Sequence, residues 1–351
     1  MPDRYHAADL VAMATDLFAR AGLQPPIAAA VADILVEADL LGYATHGLQF
    51  VPAYLAGIEA GRTTLAGEPR VVSDHGGAVV LDGDWLPGQW VMLRALDLAL
   101  ERVGAHPLAA VAVRRSQNIS CLATYARRAA LRGLFAMVLA AAPGNAVVAP
   151  HGGRAPRLST NPMAVAFPGG DHPVLIDTST SSVTNRLIER TRRAGDRLAQ
   201  PWLVDADGNP TDDPGAIYTD PPGAILPAGG LELGHKGFAL SLMVEALAGG
   251  LSGFGRADGD AAGNTVFLLL VDPAAFAGAE AFERQAAWVA AACRDTPPLA
   301  GGGAVRVPGD RAQAAVDEQT AQGIALHPEI LPRLRPLLEK YGVAEPAPVR
   351  S

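Results

Sequence analysis

The stretch Leu108–Ala141, LAAVAVRRSQNISCLATYARRAALRGLFAMVLAA, decides the fold. Leu108 to Val113 is a short apolar run between Pro107 and the pair Arg114-Arg115, the pattern of a buried strand. Leu122 to Arg132 changes to helical spacing and stops at Gly133, and Leu134 to Ala141 is apolar again. Strand, helix and strand in such close succession argue an α/β core. Working outward, Val71-Val72, Ala78 to Leu81, Met163 to Phe167, Val174 to Ile176 and Val266 to Val271 read as further strands, and Trp90 to Arg102 as a helix. Upstream, His6 to Ala21 is a helix ended by Gly22. Pro26 starts a second, whose Ile27, Val31, Ile34, Leu35 and Ala38 recur at three and four, and Val51 to Ala60 a third. Downstream, Glu280 to Cys293, Gln313 to Gln322 and Pro328 to Tyr341 read as helices.

Of the 351 residues 49% are apolar and 18% charged, with a net charge of −8. That composition excludes disorder and implies extensive burial, a subunit interface included. There is no basic surplus to hold a phosphate backbone, so nucleic acid is not an expected partner. Cys121 and Cys293 make neither a disulfide framework nor a metal-ligand spacing, which points to a reducing cytoplasm. Met1 to Leu10 carries Asp, Arg and His before any apolar run, unlike a signal peptide, and no apolar stretch reaches the ~18 residues of a membrane span.

The familiar cofactor fingerprints fail. Gly253-Phe254-Gly255 follows a helical pattern, where a Rossmann turn must follow a strand, and reads as a plain loop. Gly229 to Gly237 lacks the Gly-Lys-Ser/Thr ending of a phosphate loop, which removes an NTPase. Asp205, Asp207 and Asn209 lack the twelfth-position Glu of a calcium loop, so Val204 to Pro214 reads as a surface turn.

What remains is a series of polar islands. Thr45-His46-Gly47 follows the second helix. There His46 can exchange a proton near neutral pH or, as the plainer alternative, cap the helix dipole. Ser159-Thr160-Asn161-Pro162 and Asp177 to Ser182 flank predicted strands and offer many small donors, suited to a cofactor or equally to turns and a helix N-cap. His235-Lys236-Gly237 is read as opening a helix over Phe238 to Leu247. A cation there opposes the helix dipole unless an anion is bound.

In this order and spacing the islands resemble the type 2 malate/L-lactate dehydrogenase family of NAD(P)-dependent oxidoreductases. The matching stretches are Thr45-His46-Gly47, Thr160-Asn161-Pro162, Asp177 to Ser181, Asp205 to Pro214, His235-Lys236-Gly237, and Pro308-Gly309-Asp310 followed by Gly323-Ile324. The likeness runs from about Asp9 to Gly342. It implies a mixed-sheet, non-Rossmann α/β dinucleotide-binding fold of the sulfolactate dehydrogenase type. Residues 1–70 would form a helical segment carrying the catalytic His, 71–278 the cofactor- and substrate-binding core, and 279–351 a helical segment packed on the N-terminal part. It also implies a homodimer with the active site near the subunit boundary. His46 would be the proton donor to a 2-oxo acid and the acceptor in reverse, Thr45 would orient it or the substrate oxygen, and Asp177 would orient the reacting groups or the cofactor. Val174, Leu175, Ile176, Thr178, Ser179, Thr180 and Ser181 would contact the cofactor, together with Thr160, Asn161, Pro162, His235, Lys236, Gly237, Pro308, Gly309 and Asp310. No residue identifies the ribose reader, so NADH and NADPH both stay open.

Two positions depart from the family. The Arg usual four residues after the His is Phe50 here, and a His of the family's Asn-Ser-x-His-Phe-Gly is Asn118. Both lie on the substrate side, so the expected substrate is a 2-oxo acid or cyclic imino acid bulkier or less charged than malate. Arg114 or Arg115 could replace the lost cation, although an alternating strand points only one of them inward. A second reading is a cofactor-binding paralogue that has lost redox activity and serves as a partner subunit.

Overall fold

A computed structural model describes residues 3–258 and 263–349. Twelve strands and ten α-helices are defined among these residues. The chain opens with β1 (Arg4–Tyr5), α1 (Ala7–Arg20), α2 (Pro25–Leu40) and α3 (Val51–Glu59). The α/β region that follows contains β2 (Arg70–Asp74), β3 (Ala78–Asp82), α4 (Gly88–Val103), β4 (Leu108–Ser116), α5 (Leu122–Ala130), β5 (Phe135–Ala141), β6 (Met163–Phe167) and β7 (Val174–Thr178). Then come α6 (Asn185–Ala194), β8 (Leu203–Val204), β9 (Pro210–Thr211), β10 (Ala224–Ile225), α7 (Gly230–Val244) and β11 (Asn264–Val271). The chain closes with α8 (Ala279–Arg294), α9 (Asp310–Gln322), β12 (Ile324–Ala325) and α10 (Ile330–Tyr341).

Seven strands form one sheet in the order β2-β3-β4-β11-β5-β6-β7. Only β3 and β4 run parallel. All other neighbours are antiparallel, with Leu268 of β11 set between Val111 and Val138. This mixed sheet has no Rossmann strand order, in line with the failed fingerprint search. Helices α4 and α5 pack on the sheet, and α2 packs on α1, α4 and α5. Being apolar on nearly every side, α2 is a core helix. Its Ile27, Ile34 and Leu35 are wholly buried, each worth about 1.5–3 kcal/mol. Asp39, near its end, is the one buried carboxyl among them. The chain ends meet where β1 pairs with β12 and α10 packs on α1 and α3.

A smaller sheet, β10-β8-β9, and α6 share a separate apolar cluster of Val148, Leu158, Ile188, Leu203 and Ile225. Its β8–β9 turn is built on Asp205, whose carboxylate accepts the backbone N–H groups of Asp207 (3.0 Å) and Asn209 (2.8 Å). Two elements differ from the sequence reading. First, α7 begins at Gly230, because Gly229 and Gly230, at φ 98° and 63°, turn the chain into it. His235 and Lys236 therefore lie in its second turn, exposed, and the argument from a cation at a helix N-terminus does not hold. Second, α6 was not expected. It is polar almost throughout, with only Ile188 buried, and is fixed by the Thr184 hydroxyl accepting from Leu187 N–H and by Gly195 in the left-handed region.

Candidate active site

A cavity of about 810 Å³ opens between the sheet, the turn after α2 and the small β-unit. Thr45, His46 and Phe50 come from the turn, Asn118 and Ser120 from the loop after β4, and Thr160 and Pro162 from the loop before β6. Asp177 to Ser179, Ser181 and Ser182 enter from the end of β7, Thr184 to Leu187 from the start of α6, and Trp202, Ile217 and Tyr218 from the small unit. The last three were not singled out in the sequence because their place depends on how the two units face each other.

The His46 turn is held from beneath. Oδ2 of Asp39 accepts Leu48 N–H at 2.8 Å, while Oδ1 is buried with no partner among the described residues. Burial raises the Asp39 carboxyl to about 7, against the opposing hydrogen bond from Leu48. Gly47 is required here, because an added Cβ would stand 2.2 Å from the carboxyl carbon of Asp39. Ser120, itself at φ 63°, donates its hydroxyl to the His46 carbonyl.

The His46 ring is hydrogen-bonded through Nδ1 to the Thr45 hydroxyl at 2.9 Å. That hydroxyl can donate to the neutral ring or accept from the protonated one, so it orients the imidazole in both states. Burial, and then the charge of Arg186, lower the His46 pKa to about 4. The ring is therefore neutral at pH 7 in the open site.

Phe50 forms the adjoining wall, 5.9 Å from the His46 ring and stacked on Tyr54 at 5.3 Å. The Tyr54 hydroxyl donates to Oδ1 of Asn118 (2.6 Å), which also accepts Ser120 N–H (3.0 Å). Two donors on the amide oxygen turn the Asn118 NH2 group away from them. Asp177, in the same cavity lining, accepts Ala123 N–H at 3.0 Å at the start of α5 and lies 3.7 Å from the Cys121 thiol. Burial raises its pKa to about 6.

Not every sequence-predicted residue faces the cavity. Asn161, fully buried at φ 40°, gives its amide to Ser241 Oγ (2.9 Å) and Glu245 (2.8 Å), and its oxygen accepts from Ser159. It builds the turn that presents Thr160 and Pro162. Thr180 ties that turn to β7 through the carbonyls of Thr160 and Asn161. Val174 and Leu175 are buried in β7, with Ile176 half-buried beside them. Gly309 lies against this strand, the Pro308 carbonyl accepts Leu175 N–H, and Asp310 pairs with Arg294 and His172. His235, Lys236 and Gly237 lie on α7, away from the cavity lining. Arg114 and Arg115 both turn to Asp82, at 3.0 and 2.9 Å, because φ of 51° at Arg115 breaks the strand alternation. Neither supplies the missing cation. Arg186 of α6, which the sequence reading did not identify, stands with its guanidinium carbon 4.4 Å over the Phe50 ring.

The profile of the malate/L-lactate dehydrogenase family matches residues 5–335, and the chain belongs to that family of oxidoreductases. It is 36% identical to an L-lactate dehydrogenase of Cupriavidus necator, covering 95% of this chain and 97% of that one. It is 33% identical to a Δ1-pyrroline-2-carboxylate/Δ1-piperideine-2-carboxylate reductase of Pseudomonas putida, over 70% of each chain. A solved structure of a putative malate/lactate dehydrogenase from E. coli superposes with a TM-score of 0.88 at 29% identity, covering 97% of this chain and 96% of that one. Among the described residues no helix is long and apolar enough to cross a membrane.

Proposed function

We propose that the protein is an NAD(P)H-dependent reductase of a 2-oxo acid or cyclic imino acid, acting in reverse on the hydroxy or amino acid. The observation that carries this reading is His46, oriented by Thr45 in the wall of a cavity that Asp177 also lines. At about 810 Å³ the cavity is near the top of the ~300–1,000 Å³ range of ligand sites, far more than a small acid alone requires. The hydroxyls of Thr160, Ser179, Ser182 and Thr184 suit a nicotinamide amide and ribose, and the small side chains of Ala140 to Ala142 let a flat ring approach. A bound reduced nicotinamide supplies the hydride to the carbonyl or imine carbon.

His46, once protonated, gives the accompanying proton to the carbonyl oxygen or imine nitrogen, keeps the N–H electron pair to become the neutral ring, and recovers a proton from water. The NH2 group of Asn118 donates to the same reacting oxygen. Asp177, anchored on the first turn of α5, fixes the lining at the end of β7. Phe50, Trp202, Ile217 and Tyr218 make that space apolar, which favours a branched or ring-shaped substrate body over malate. The pyrroline/piperideine-carboxylate reductase among its relatives brings the cyclic imine class to this chain.

The working unit is a homodimer. Leu231, Leu233, Leu240 and Leu242 of α7 are 43–52% exposed, an uncovered apolar surface of the kind a second copy buries. The test of function is a panel of 2-oxo acids and cyclic imines with NADH and NADPH, followed by loss of reduced-cofactor absorbance. Turnover of at least one supports the reading. Cofactor binding without turnover of any supports a redox-silent partner instead.

A further inference from the structure

We propose that Arg186 of α6 is the residue that grips the substrate carboxylate, in place of a cation on the His46 turn. The inference rests on the reduction of a 2-oxo or imino acid proposed above and assigns its specificity-determining contact. Arg186 is the only Lys or Arg in the cavity lining among the described residues. Its Nη1 donates to Glu189 at 2.8 Å, a half-buried i,i+3 pair that occupies one end of the guanidinium. Its Nε and Nη2, the edge that binds a carboxylate side-on, have no protein partner among the described residues. The guanidinium is stacked on Phe50, which holds its plane without consuming a donor. Phe50 is thus more than a substitute wall, since it is the platform for the displaced cation.

Anchor and proton donor meet at one aromatic ring. Phe50 lies 4.4 Å from the guanidinium carbon and 5.9 Å from the His46 ring, so anchor and proton donor flank the same ring. The arrangement also couples binding to proton uptake. The Arg186 charge helps hold His46 neutral in the open site. A carboxylate on Arg186 offsets that charge, the smaller of the two causes, and so shifts His46 toward the protonated form, with burial still opposing it.

The test uses Arg186→Gln and Arg186→Lys in the full chain, with the best 2-oxo acid or imine acid from the panel and its uncharged amide. Arg186→Gln is expected to lower kcat/KM for the acid about 10²-fold, mainly through KM, to change that for the amide far less, and to raise the pH of the His46 limb. Arg186→Lys should retain part of the loss, and Phe50→Arg placed in Arg186→Gln should recover at least tenfold. Unchanged kinetics in Arg186→Gln, or equal losses for acid and amide, would overturn the proposal. Titration with oxamate in the presence of NADH or NADPH separates this proposal from the functional reading, since it requires no turnover. Binding at least ten times weaker in Arg186→Gln supports the anchor even if no substrate is reduced, and equal affinity, or no binding by either protein, overturns it.

Discussion

Replacing Gly47 with Ala tests how the His46 turn is held. The added methyl would stand 2.2 Å from both the carboxyl carbon and Oδ1 of Asp39, and 2.3 Å from Oδ2. Carbon contacts become comfortable at about 3.5 Å, so turn and helix must part by about 1 Å. Asp39 cannot easily retreat, being 4% exposed in a helix buried on nearly every side and holding Leu48 N–H. Overpacking of this kind costs about 1–3 kcal/mol, and loss of the hydrogen bond to a charged or strongly polar carboxyl about 1.5 kcal/mol more. His46 is the adjacent residue, and a displacement of about 1 Å in a reacting group can cost about 10²-fold in rate. Gly47→Ala should therefore lower the free energy of unfolding by about 2.5–4.5 kcal/mol in urea titrations and cut kcat/KM about 10²-fold, with the cofactor Kd close to normal. Wild-type stability together with wild-type turnover would refute the reasoning, because the turn would then have accepted the methyl without moving His46.

His46→Ala should reduce turnover by about 10²-fold or more while cofactor binding, followed by fluorescence, stays near normal. The Asp39 carboxyl is raised by burial to about 7, above its unfolded value of about 3.9. Its contribution to stability is thus fully present below about pH 4 and is lost as pH rises toward 7, so Asp39→Asn should flatten the wild-type decline across that window. Equal slopes in the two proteins would show that Asp39 does not titrate there. The pair Leu240→Glu and Leu242→Glu should convert a sedimenting dimer into a monomer, whereas an unchanged sedimentation coefficient would remove α7 from the interface.

The α/β core was legible because its signals are local. The apolar runs Leu134 to Ala141 and Met163 to Phe167 fall on β5 and β6, and Val51 to Ala60 overlies α3 to within a residue. The start of α7 was not legible, since Gly229 and Gly230 read as a loop while their positive φ values serve to launch the helix. Nor was α6, whose Arg-rich sequence has no apolar stripe, although Thr184 and Gly195 mark its two ends. Arg186 was missed for the same reason. The replacement cation was sought beside Asn118 in sequence, and it arrives from a helix that meets Phe50 only in the folded chain. The roles of Asn161 and Arg115 were hidden because each sits at positive φ, where strand alternation no longer predicts direction.

The most direct test of the account is single-turnover reduction of the best panel substrate by wild type and His46→Ala, each preloaded with reduced nicotinamide cofactor, across pH 4 to 9. The account predicts stoichiometric oxidation of bound cofactor by wild type, with a rate that falls toward high pH, and a rate about 10²-fold lower and nearly flat with pH in His46→Ala. Equal rates and equal pH profiles in the two proteins would contradict it, because His46 would then not be the group that delivers the proton.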